Sequence, residues 1–192
     1  MNIFYLNESP TKCAQEHCDK HVVKMILEYA QLLSTAHRIL DGSQYTAKTA
    51  ANRNIKRWEL SDSFLENTLY KASHVNHPSG IWTRANNENY TWLANLLCSL
   101  CEEYTHRYGK HHKVEETGLC YVLLKNLPKN IAIGKFTAPP PAMPDKYKIP
   151  NDSIRSYHAY YINDKSRFAK WKNRTIPMWY SEGLNHANVS VS

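Results

Sequence analysis

No stretch of the chain approaches the roughly 20 consecutive apolar residues that span a bilayer. The opening Met1-Asn2-Ile3-Phe4-Tyr5-Leu6-Asn7-Glu8 lacks the basic start and long apolar segment of a secretion signal. Neither membrane insertion nor export is therefore expected. The five cysteines, Cys13, Cys18, Cys98, Cys101 and Cys120, are an odd set that fits no small disulfide scaffold, so free thiols and a cytoplasmic setting are expected. A Gly-rich phosphate loop, an alternation of strands with helices, an internal repeat and a true linker are all missing, which argues against doubly wound nucleotide-binding folds and repeat arrays. Acidic residues are the scarcer charge: 17 Asp and Glu face 24 Lys and Arg, a net +7 that favours a polyanionic partner. With 42% apolar residues in 192, the chain has enough hydrophobic material for one folded domain over residues 1–192.

What the chain does contain is helical periodicity. Pro10, after Asn7-Glu8-Ser9, suits the first turn of a helix, and Val22, Val23, Ile26, Leu27, Ala30, Leu33 and His37 recur at three- and four-residue intervals as one buried stripe, closed by Gly42. A polar segment follows, then a weaker apolar pattern around Trp58, Leu60, Phe64, Leu65 and Leu69. Pro78 and Gly80 precede a long run from Ile81 to Tyr108 with Gly109 as its cap. The stretch from Cys120 to Leu124 fits either strand or helix. Pro139-Pro140-Pro141, with Pro144 and Pro150, excludes regular helix and predicts an extended strap. Asn151-Asp152-Ser153 caps a last helix expected to run to about Lys172, and residues 183–192 read as a fraying tail. The predicted class is all-α (mostly α), a compact core of three main helices with a Pro-rich strap and a basic, aromatic C-terminal segment.

Three clusters could carry chemistry. On a first helix running through residues 17–28, His17, His21, Lys24 and Glu28 fall within about 60° of one another, opposite the stripe. The face fits a solvated surface. It also fits a zinc site, given the two imidazoles at i and i+4, but the pattern is not His-Glu-x-x-His and a well-spaced third ligand is missing; no metal and no cofactor are expected. Cys98 and Cys101 have Cys-x-x-Cys spacing inside an apolar run, which reads as two buried thiols. His74-Val75-Asn76-His77-Pro78, followed by Trp82 and Arg84, fits an anion site at a helix start or a capped turn. From Lys146 to Arg174 eight cations face only Asp152 and Asp164, and Lys170-Trp171-Lys172-Asn173-Arg174 interleaves charge with aromatic surface. That combination suits phosphates and bases, and equally a core aromatic anchor between solvated lysines.

Asp19-Lys20-His21 with Glu28 resembles the Asp-x-His-x6-Glu arrangement of the phage-type pyrimidine-dimer DNA glycosylases, the endonuclease V family. His77-Pro78, the closing Ile176-Pro177-Met178-Trp179-Tyr180 and the opening Met1-Asn2-Ile3-Phe4-Tyr5-Leu6 are similar to features of that family. The resemblance implies a compact set of helices that opens duplex DNA and flips a base, an amine nucleophile at the mature N-terminus, Glu28 as the catalytic carboxylate and His21 beside it on the sugar-phosphate. It makes residues 41–69 an insertion. Two positions depart from the pattern: Leu27 stands where the family has arginine, and alignment on the helix sets Asn7 where the nucleophile's residue belongs. Either the amine of Met1 reaches the site, or the chemistry is not amine-mediated.

The reading that follows is a DNA-binding enzyme acting on a base or its N-glycosidic bond, with lyase activity left open. Its partner is double-stranded DNA, without membrane or obligate protein partner. Glu28 and His21 are the catalytic candidates. His17, Lys24, His77, Arg84, Arg155, Arg167, Lys170, Trp171, Lys172 and Arg174 are the DNA-binding candidates. Three alternatives stay open: a phage-type thymine-base modifying enzyme, a non-catalytic DNA-binding protein, and a metal-dependent hydrolase using His17, His21 and Glu28.

Overall fold

The computed structural model describes residues 1–189, and α-helix dominates it, as the periodicity predicts. Ser9 caps α1 (Pro10–Glu16), which is short because the chain turns extended at His17 and Cys18. The long α2 (Asp19–Asp41) starts only after this break and ends at Gly42. His17 thus does not share a helix with His21, and the four-residue polar face drawn for one continuous helix does not exist. The buried side of α2 is centred on Val22, Ile26, Tyr29, Leu33 and Ala36, leaving Val23 and Leu27, both expected inside, 42% exposed.

Residues 43–59 form a β-hairpin where only a polar segment was expected. β1 (Ser43–Lys48) pairs antiparallel with β2 (Asn54–Glu59), Ser43 opposite Glu59 and Lys48 opposite Asn54. The hairpin's base is held by Arg38, whose fully buried guanidinium donates to the carbonyls of Trp58 (2.9 Å), Glu66 (3.0 Å), Leu69 (2.9 Å) and Tyr70 (2.6 Å) and to the Glu66 carboxylate (2.5 Å). Glu66 belongs to the single short helix, α3 (Ser63–Thr68), that the weak pattern after Trp58 produces.

The long run before Gly109 divides into α4 (Pro78–Thr83) and α5 (Asn87–Tyr108), because Asn86 caps a new start with its side chain. Gly109 ends α5 at φ 66°, a conformation that favours glycine. α2 and α1 both pack against α5. The ambiguous segment after Gly118 is helical: α6 (Lys113–Glu116) leads to α7 (Leu119–Lys125). All five cysteines are free; Cys101 is buried in α5 and Cys98 half-buried.

The Pro-rich strap is extended apart from one 3-10 turn over Asp145–Tyr147, and side chains order it. Thr137 N–H donates to Asn89, Trp82 Nε1–H to the Thr137 carbonyl, and Tyr157 O–H to the Pro140 carbonyl. Asp152 caps α8 (Ser153–Tyr160), which loosens into a π turn over Tyr161–Lys165 and stops well short of Lys172. Beyond it, α9 (Met178–Val189) occupies most of the stretch expected to fray, and residues 190–192 of that tail lie outside the described residues.

Candidate active site

The C-terminal segment covers the N-terminal half of α2 and turns that helix face into a pocket. Asp19 N–H, an orphan donor at the start of α2, bonds the Lys170 carbonyl at 2.8 Å. The Asp19 carboxylate accepts from Lys172 N–H (3.0 Å) and Arg107 Nη1 (2.8 Å). Trp171 is buried and donates from Nε1 to the Glu16 carbonyl at 2.9 Å. The aspartate of the helix motif is therefore an anchor for the covering segment.

Beneath that cover, His21 stacks on Phe4 with ring centroids 4.0 Å apart, meets Phe168 edge-on, and shares a 2.5 Å hydrogen bond between Nδ1 and the Tyr161 hydroxyl. Burial lowers its pKa to about 2, with the positive potential of its neighbours adding to the effect, so the imidazole is neutral at physiological pH. Glu28 lies one turn beyond Lys24, its carboxylate 3.1 Å from Lys24 Nζ; the Glu28 side chain is only 16% exposed while Lys24 is open to solvent. Met1, His21, Lys24, Glu28, Tyr160 and Lys165 line one cavity of about 210 Å³. Ser79 Oγ fixes the first residue through the Met1 carbonyl at 3.1 Å. Lys165 lies 4.2 Å from the Tyr160 ring centroid. Burial opposes its charge, but hydrogen bonds to Asp164 and Tyr160 outweigh that and keep the ammonium protonated.

The remaining candidates divide by burial and partner. His77 accepts from Ser79 N–H as the cap of α4. Burial lowers its pKa, the terminal amine and His74 push the same way, and Glu28 opposes them. Arg84 caps the end of α4 half-buried, and its Nη1 has no hydrogen-bond partner among the described residues. Arg167 and Lys170 are exposed, and Arg155 is exposed with Asp152 3.9 Å away.

Three DNA-binding candidates are structural instead. His17 is fully buried: with Nδ1–H donating to the Cys13 carbonyl at 2.6 Å, Nε2 accepts from Tyr29 O–H at 3.3 Å, and the same hydroxyl accepts from Phe4 N–H. Burial lowers its pKa to about 4, and both ring nitrogens are occupied, so it offers nothing to DNA and no ligand to the hydrolase reading. Trp171 is the core anchor described above. Arg174 is clamped on the buried Glu103 carboxylate, 2.8 Å from Nη2, which Arg107 also holds at 2.6 Å. Lys172 is exposed, but its Nζ lies over the Tyr108 ring, 5.4 Å from the centroid. No group of three or more His, Cys, Asp or Glu side chains among the described residues could hold a metal ion.

Asn7, where alignment sets the nucleophile's residue, is in a different cavity. Its amide donates to Glu16 at 3.2 Å, next to Trp179 and His158. Sequence reasoning also missed Tyr160, Tyr161 and Lys165. Aromatic spacing on α8 was a signal for a buried face, but nothing in it says which helix that face meets.

No curated protein and no solved structure matches the chain. The profile of the pyrimidine dimer DNA glycosylase family matches residues 1–116, a span that supplies Met1, His21, Lys24 and Glu28, while Tyr160, Lys165 and the rest of the cover come from beyond it. A match over more than half of the chain, including the helix that carries the pocket's carboxylate, makes this protein a member of the pyrimidine dimer DNA glycosylase family.

Proposed function

We propose that the protein excises a base at pyrimidine dimers in double-stranded DNA, with Glu28 as the catalytic carboxylate and the α-amine of Met1 as the nucleophile. One observation carries this reading: Met1, Glu28 and a neutral His21 share a cavity whose other lining residues include two lysines. An α-amine is intrinsically less basic than a lysine side chain, and Lys165 is held protonated by its hydrogen bonds to Asp164 and Tyr160. The amine nitrogen attacks the sugar C1′, the N-glycosidic bond breaks, and the departing base takes a proton from water. The product is an iminium between C1′ and the amine, with the ring oxygen released as a hydroxyl.

Glu28 stabilises the positive charge that develops at C1′, and its low exposure makes that interaction stronger than it would be in water. The Tyr161 phenol, donating to His21 Nδ1, leaves the imidazole proton on Nε2 as a neutral donor for the sugar-phosphate. Lys24, Arg167 and Lys170 hold phosphates around the opening. Lyase activity follows from the iminium, which acidifies the adjacent C2′ proton and permits loss of the 3′ phosphate.

Borohydride trapping tests the reading. A duplex with a cyclobutane thymine dimer, incubated with the protein and borohydride, should give a covalent adduct that peptide mapping assigns to Met1. An adduct on Lys24 would replace the nucleophile. Absence of both adduct and N-glycosidic cleavage, read as an alkali-labile site at the dimer, would overturn the reading.

A further inference from the structure

We infer that the β-hairpin is a second DNA-binding element, an arm that grips the phosphate backbone of duplex flanking the Glu28 pocket. The inference rests on the DNA reading of that pocket. The hairpin, residues 43–59, carries Lys48, Arg53, Lys56 and Arg57, and its one acidic residue is Glu59 at the base. The eight cations of the C-terminal region look stronger in sequence, yet Lys148 pairs with Asp145, Arg155 with Asp152, Lys165 with Asp164 and Arg174 with Glu103. None of the hairpin's four has a carboxylate within 4 Å among the described residues. Their field is therefore not cancelled locally.

The strand register aligns these charges. Lys48 lies opposite Asn54 and Thr46 opposite Lys56, so both lysines share one face of the ribbon with Gln44 and Trp58. Arg53 projects from the tip, where Asn52 adopts φ 56° to close the turn. Most of β1 is exposed on both faces. A two-stranded ribbon has the width of a DNA major groove, and six residues per strand extend about 17–20 Å, the rise of roughly five base pairs.

Position connects the arm to the pocket. The hairpin and residues 72–76 enclose a groove of about 590 Å³, the largest on the molecule among those described, with Lys56, Arg57 and Trp58 on one wall and Ser73 and His74 on the other. Arg57 spans it to the Ala72 carbonyl at 3.5 Å. The second wall continues directly into His77, whose ring accepts from Ser79 N–H, and the Ser79 hydroxyl in turn donates to the carbonyl of Met1, a residue of the Glu28 pocket, at 3.1 Å. A duplex seated on the Glu28 pocket and running past His77 meets the hairpin.

The test is binding of the full-length protein to an undamaged 20-base-pair duplex over a series of salt concentrations. The variant K48Q/R53Q/K56Q spares Arg57 and changes only exposed side chains. It is compared with K12Q/K110Q/K113Q, which removes the same charge elsewhere, and with R53Q alone. Each lost phosphate contact lowers the slope of log Kd against log[salt] by about 0.9. The hairpin triple should lose about 2–3 units of slope and R53Q about one, with unchanged thermal unfolding, while the control triple keeps the wild-type slope. Equal slopes for wild type and the hairpin triple overturn the arm and leave the glycosylase reading intact. Equal losses in both triples also overturn it, because they report net charge instead of contact. Failure of the wild type to bind the duplex overturns both readings.

Discussion

Replacing Glu28 by Gln separates chemistry from folding more cleanly than any other single change. The carboxylate's ionic partner is Lys24, 3.1 Å away at i,i+4 and itself 69% exposed. A pair with so exposed a partner contributes about 0.3–0.5 kcal/mol, which in a domain of this size moves the unfolding midpoint by about 1–2 °C. Gln also keeps the side chain's volume within the cavity. The catalytic consequence is an order larger. A preorganised charge in a water-poor site contributes about 3–4 kcal/mol to the transition state, so N-glycosidic cleavage should slow by roughly 10²–10³-fold. Affinity for DNA should hold or rise slightly, since a negative charge leaves a surface facing phosphates. Single-turnover N-glycosidic cleavage of a dimer-containing duplex, thermal unfolding and equilibrium binding should be measured together. Full activity in Glu28→Gln, or activity lost only in step with unfolding, would refute the assignment.

The buried ion cluster makes Arg174→Gln a folding mutation: Glu103 loses one of two guanidinium partners, and stability should fall by about 1–3 kcal/mol in denaturant titrations. Arg167→Gln with Lys170→Gln should do the reverse, leaving the unfolding midpoint in place while weakening DNA binding and flattening its salt dependence. His17→Ala should cost about 2–4 kcal/mol without a specific effect on chemistry, because it opens a cavity and strands the Tyr29 hydroxyl; unfolding and single-turnover rates read together check this. Acid should destabilise the fold through the same imidazoles. His17 and His21 are held neutral, with pKa values lowered by burial to about 4 and 2, whereas the unfolded chain takes up those protons near pH 6.5. Stability should therefore fall as pH drops from about 6.5 toward 4, with neither group contributing above that window. Unfolding midpoints across that range should drop less steeply in His21→Phe.

Local rules written in the sequence determined much of this protein. Ser9-Pro10, Gly42, Pro78, Asn151-Asp152-Ser153 and Gly109 bracket helices because capping and φ restriction act within a few residues. The prolines 139–141 forbid helix wherever they fall. The motif from Asp19 to Glu28 was legible as a unit because 3.6-residue periodicity brings His21, Lys24 and Glu28 to one side.

Other features were decided by contacts between segments distant along the chain. The break at His17 and Cys18 leaves no strong sequence mark. It is fixed by Tyr29 and Cys13 holding the His17 ring and by Lys170 and Lys172 satisfying the start of α2. Charge arithmetic over Lys146 to Arg174 overstated that region, since Glu103, 71 residues before Arg174, neutralises it across the fold. The hairpin's charge went unremarked for the converse reason: being uncompensated is a property of three-dimensional surroundings. Finally, a polar helix face becomes a pocket only when something covers it. Tyr160, Tyr161, Lys165 and Phe168 do so from more than 130 residues away, because burying the Tyr161 ring against Phe4 and His21 and the Phe168 ring against His21 is favourable only after the chain has folded back on α2.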